Sequence, residues 1–146
     1  MVMNFPLTLL NKYAGYFHDG SVRNLKHEKD SIIISIESAQ VLPEWHWDRK
    51  NIPFSIRDTI SGKLHLAHIK SIKQNDELFS ETLKMVYDHC DVFDLEIEES
   101  RIKLLITWEQ YMPTRQRTDM LSIEIKAEKI YWENIPTLFD DYWDSL

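Results

Sequence analysis

The feature that most constrains this chain is a two-residue beat of apolar side chains that recurs along much of its length. Phe93, Leu95 and Ile97 alternate with Asp94, Glu96 and Glu98. Beyond Glu99-Ser100, Ile102, Leu104, Ile106 and Trp108 alternate with Lys103, Leu105 and Thr107. A period of two marks strands with one buried and one wet face. If Glu99-Ser100 is a two-residue loop, Ile97 faces Ile102 and Leu95 faces Leu104 on the buried side. Glu98 then faces Arg101, and Glu96 faces Lys103, on the wet side. Both faces agree on one register, and a slip of one residue would invert both. The loop lacks the usual glycine, so a longer loop with shifted pairing stays open.

The same beat predicts further strands. Ile32, Ile34 and Ile36 form one, and Leu121, Ile123, Ile125 and Ala127 begin another that runs to about Trp132. A polar strand, Val22 to His27, follows a turn at His18-Asp19-Gly20-Ser21 and ends at Lys29-Asp30-Ser31. Ile52, Phe54 and Ile56 predict a strand in which Pro53 points to an edge position or to the strand's first residues. Ser61-Gly62 reads as a hairpin turn from which Lys63 to Ile72 returns. Residues 75–90 fit either a helix capped by Asn75 or Asp76 or an extended segment. Tyr111 to Thr118 reads as a loop with Pro113, Arg115 and Arg117.

Helices are expected at the ends. One starts near Pro6, with Asn4 near its cap and Gly15 as its stop. The other spans 136–145, with Pro136 in its first turn. The expected fold is therefore α+β: mainly an antiparallel twisted sheet or half-open barrel with short N- and C-terminal helices. With 146 residues, 3 Gly, 5 Pro and no low-complexity run, residues 1–146 read as one domain.

A single cysteine excludes a disulfide framework or a cysteine zinc knuckle. No apolar run approaches the roughly 20 residues of a membrane span, and Met1 to Leu10 does not read as a signal peptide. A reducing, cytoplasmic setting is expected. Residues 1–73 hold ten Lys and Arg against seven acids, and residues 74–146 hold seven against seventeen. That acidic second half repels nucleic acid and favours a basic protein partner.

Few residues form a reactive constellation. His18-Asp19 lacks the upstream histidine that a metal-dependent phosphohydrolase of the HD type needs, and Gly20 marks a turn there. His65 and His68 would point to opposite sides of a strand. Asp88-His89-Cys90-Asp91 crowds four ligand types into neighbours that cannot all reach one ion. Glu96, Glu98, Glu124 and Glu128 sit at wet positions near Lys or Arg, as on a solvated sheet face. There is no phosphate-binding glycine loop, nucleophile elbow or paired CxxC. No catalytic, metal or cofactor residue is assigned.

Two segments read instead as recognition candidates. Trp45 and Trp47 would share one side of an extended Glu44-Trp45-His46-Trp47-Asp48, able to stack a ring or to cover the core. Tyr142 and Trp143 beside Asp140, Asp141 and Asp144 combine aromatic anchors with charge suited to a cationic partner, or close the core.

The strings Tyr16-Phe17-His18-Asp19-Gly20-Ser21-Val22, Leu104-Leu105-Ile106-Thr107-Trp108 and Ile123-Glu124-Ile125-Lys126-Ala127-Glu128-Lys129-Ile130-Tyr131-Trp132 resemble small bacterial single-domain proteins grouped with immunity proteins of polymorphic toxin systems. The resemblance covers about a third of the chain and carries over no functional residue. It implies a cytoplasmic binder that blocks a toxin, with a basic toxin domain as partner. The expected function is thus a non-catalytic protein-binding module that uses no cofactor, nucleic acid or membrane. Two alternatives stay open: a small-ligand protein or enzyme using Trp45, His46 and Trp47, and a homo-oligomer pairing through the 52–56 edge.

Overall fold

In the computed structural model, which describes residues 3–5, 7–42, 44 and 51–141, the alternating segments close into a barrel. The strands are β1 (Met3–Phe5), β2 (Ser21–Glu28), β3 (Ser31–Glu37), β4 (Ser61–Gln74), β5 (Glu77–Leu78), β6 (His89–Ile97), β7 (Arg101–Gln110), β8 (Gln116–Arg117) and β9 (Leu121–Asn134). All pairings are antiparallel, and the ring runs β9-β4-β3-β2-β6-β7 and back to β9. β1, β5 and β8 are short additions to its rims.

The β6–β7 register is the one the alternation predicts, with Leu95 opposite Leu104, Glu96 opposite Lys103 and Ile97 opposite Ile102. Three bulges bend the wall, between Val22 and Asn24, between Ile69 and Ser71, and between Val92 and Asp94. Each inserts an unpaired residue and tightens the twist, which a small barrel needs in order to close. The last of them shifts Phe93 out of the buried row to which its spacing assigned it; Val92 is buried in its place, while Leu95 and Ile97 are buried as expected.

The interior is filled by side chains. Ile32, Ile34, Ile36, Leu64, Leu66, Ile102, Ile106 and Ile125 are all buried there, and Trp108 and Trp132 are the largest occupants. Six strands enclose a narrow interior, and these buried side chains fill it as a packed core. Gly62 makes room for Trp132: a methyl group at this position would overlap the Glu133 carbonyl oxygen and lie 2.8 Å from Trp132 Cζ2. Helix α1 (Leu7–Asn11) and a 3-10 turn at Ala14–Phe17 supply Leu10, Tyr13 and Phe17 to the core. The Phe17 ring meets Trp132 edge-on, with centroids 6.0 Å apart.

Several expectations are corrected. The fold is a closed antiparallel β-barrel, not α+β and not half-open, because β7 pairs with β9 over Arg101 to Ile106. Asn4 lies in β1 rather than at a helix cap, and Gly15 lies inside the 3-10 turn rather than ending a helix. Residues 136–139 are a turn and 140–141 helical. The remainder of the expected 136–145 helix lies outside the described residues.

Residues 52–56 form no strand: Ile52 is buried while Ile56 is 83% exposed. Ser55 explains this, because its hydroxyl accepts from the Arg57 and Thr59 amides and meets the Thr59 hydroxyl at 2.6 Å. Local bonding of that type holds the segment in a turn. An edge for pairing between copies is therefore not formed there. Ser61-Gly62 is not a hairpin turn but the start of β4. Residues 79–88 are neither helix nor strand.

Candidate functional site

Among the described residues, three polar groups on the outside of the barrel stand beside a cleft or around a buried carboxylate. The first rims a cleft of about 510 Å³ at the end of the β6–β7 hairpin. Its floor is Leu7 of α1, Ile97 of β6 and Ile130 of β9, and Glu98 and Glu99 stand at its edge with Thr8 and Asn11. Asp94, Glu96 and Glu98 alternate outward along the same strand and are exposed, as is Glu99. Arg101 gathers two of these acids and Glu124 of β9, lying 2.6 Å from Glu98, 3.1 Å from Glu124 and 3.7 Å from Glu96. Its hydrogen bond holds the Glu98 carboxyl below the ordinary value, and the Glu98 bond in turn holds the Arg101 guanidinium more firmly protonated than usual. Glu99 has no ion pair among the described residues. The cleft thus offers an apolar floor and a carboxylate edge, which suits an aliphatic or aromatic anchor next to a cation.

The second group surrounds Glu37 at the outer end of β3. Arg57 Nη2 lies 3.0 Å and Arg23 Nη2 3.6 Å from its carboxylate, and the Thr59 hydroxyl donates to it at 2.7 Å. Arg23 is the residue inserted by the β2 bulge. Arg57 also reaches Asp140 at 3.3 Å. This cluster ties the 55–59 turn and the 137–141 segment to the wall, beside a cleft of about 400 Å³.

The third group lies where β6 meets β7. His89 and Asp91 are two apart on β6 and share its outer face, and Glu109 of β7 is directly opposite His89. His89 Nε2 is 3.0 Å from Asp91 Oδ1. The Glu109 side chain is 3% exposed beneath the 111–118 loop, with Arg115 and Arg117 each 3.6 Å from Oε1. The Tyr111 hydroxyl donates to Glu109 Oε2 at 2.9 Å, which lowers the Glu109 pKa below 4.5 and raises that of Tyr111. A carboxylate whose folded pKa is depressed adds stability above its unfolded pKa and loses it as pH falls through the folded value. The stability difference between the natural chain and Glu109→Gln should therefore shrink as pH is lowered from 7 to below about 4. Urea midpoints at each pH measure it, and a difference that stays constant would contradict the assignment.

Cys90, between His89 and Asp91, points the opposite way into the core and is 0% exposed. Burial pushes its thiol up to about 12. The thiolate is the nucleophile, so iodoacetamide at pH 8 should leave the native chain unlabelled and modify it only once urea unfolds it. Native labelling at the rate of a free thiol would show that this part of the interior opens.

Of the sequence candidates, Asp140 is engaged by Arg57 and Asp141 is exposed. Trp45, His46, Trp47, Tyr142, Trp143 and Asp144 lie outside the described residues. His18 and His68 face solvent, and His68 pairs with Asp30. His65 stacks on Tyr131 at 4.5 Å and bonds Glu133 on the outer wall. Sequence reasoning treated the Asp88 to Asp91 run as neighbours that diverge. The i, i+2 spacing of His89 and Asp91 was the signal that two of them share a face. Glu109 joins them only through the cross-strand register, and Leu7 and Ile130 join Glu98 and Glu99 only through barrel closure.

Comparison of the chain with protein-family models, with curated proteins and with solved structures returned no match.

Proposed function

We propose that this chain is a non-catalytic protein-binding module that receives a basic partner on its acidic β6–β7 end. The observation that carries the reading is the cleft with an apolar floor of Leu7, Ile97 and Ile130 and an edge of Glu98 and Glu99. Its chemistry is that of an anchor site flanked by charge, and Asp94 and Glu96 extend the charge along the strand. The packed interior leaves the outer wall as the surface for recognition. The resemblance to immunity proteins supports a toxin's basic domain as the partner and an inhibitory role for the complex.

Affinity capture from the host, with the natural chain against Glu98→Lys/Glu99→Lys, tests this. The natural chain is expected to retain a basic protein that salt elutes, since exposed charge contacts are screened within about 10 Å at 0.1 M salt. The charge-reversed chain should release it. Retention of the same partner by both chains would remove the cleft from the assignment, and no specific partner at all would defeat the reading.

A further inference from the structure

We propose that His89, Asp91 and Glu109 form a binding site for one borderline divalent cation of the Zn²⁺ type. The three residues each offer a ligand atom, and these atoms lie within 4.8 Å of one another. Bonds of about 2.0 Å in tetrahedral geometry place ligand atoms roughly 3.3 Å apart. The His89–Asp91 edge already measures 3.0 Å, and Glu109 completes the set within 4.8 Å of both. One imidazole and two carboxylates are a nitrogen–oxygen donor set, which suits Zn²⁺ or its first-row neighbours more than a soft ion. Cys90 contributes no thiolate because it faces the interior.

The surroundings are those of a supported metal site. Glu109 is almost wholly buried, and the Tyr111 hydroxyl orients its Oε2 atom, the kind of outer partner that tunes a ligand. The Tyr111 ring also stands edge-on against the His89 ring, with centroids 5.5 Å apart. Asp91, with 37% of its side chain exposed, leaves an approach from solvent. The site stands near the opposite end of β6 from Glu98, about 25 Å along the strand, and does not depend on the proposed partner site.

Arg115 and Arg117 oppose a cation and sharpen the test. They neutralise Glu109 from 3.6 Å, beyond hydrogen-bonding distance, and their side chains are 70% and 46% exposed. They can therefore swing away, and a bound cation must displace or outweigh their field. Their removal should strengthen metal binding, whereas a purely structural ion cluster would make no such distinction.

The test is calorimetric titration of Zn²⁺ into the EDTA-treated, tag-free full chain near neutral pH. One equivalent is expected to bind. His89→Ala should weaken binding at least about tenfold, Arg115→Gln/Arg117→Gln should strengthen it several-fold, and His68→Ala should leave it unchanged. Circular dichroism shows that each variant is folded; His89, on the outer wall, can be truncated without opening the core. The inference is overturned if millimolar zinc gives no binding, if His89→Ala binds like the natural chain, or if the arginine double variant does not bind more tightly.

Discussion

Trp132→Ala is expected to cost about 3–5 kcal/mol of folding stability, a large share of the roughly 5–15 kcal/mol that holds a domain of this size together. Trp132 is fully buried in the barrel and packs edge-on against Phe17. Its Nε1–H donates to Asn134 Oδ1 at 3.0 Å, and Asn134 Nδ2 donates to the Pro53 carbonyl at 2.8 Å. The substitution therefore opens a cavity in a packed interior and unpairs one end of the chain of bonds that fixes the 51–60 loop to the wall. Trp132→Phe restores much of the volume without the N–H, so it should fall between the two. Urea unfolding followed by circular dichroism measures all three. A loss under about 1 kcal/mol for the alanine variant would mean that the interior is not close-packed.

Glu37→Ala should rank second, at about 3 kcal/mol. The Glu37 side chain is 4% exposed, and those of Arg23 and Arg57 are 10% and 22%. Removing the carboxylate leaves two guanidinium groups close together with little water, and leaves the Thr59 hydroxyl without its acceptor. A buried ion cluster is weak evidence for net stabilisation, but breaking it from one side is costly. Glu37→Leu combined with Arg23→Met and Arg57→Leu should consequently recover most of the loss. The same unfolding series decides it: a single variant as stable as the natural chain would place the cluster in solvent-screened surroundings.

How much of this was legible in advance depends on the range of the interaction. The β6–β7 hairpin could be read residue by residue, because opposite faces of two adjacent strands had to agree on one register. The β3 row and the start of β9 were legible for the same reason. The 52–56 segment misled because Ile52, Phe54 and Ile56 have strand spacing, while the Ser55 hydroxyl bonds that turn the chain have no periodicity. Phe93 misled because a bulge moves one residue out of phase without changing the composition. The candidate sites were less legible still. Glu98 and Glu99 read as a wet turn until α1 and β9 supplied a floor, and Glu109 stood in no candidate group until the cross-strand register and the 111–118 loop brought partners to it.

Alternation alone determined that this chain forms antiparallel strands with one oily and one watery face, since period two is a property of the extended backbone itself. Only the tertiary structure decided that the sheet meets itself. That step requires β9 to pair with β7 on one side and β4 on the other. Side-chain pattern is the same for a strand at an open edge and for one in a closed ring; the difference lies in long-range backbone hydrogen bonds, which carry no side-chain signature.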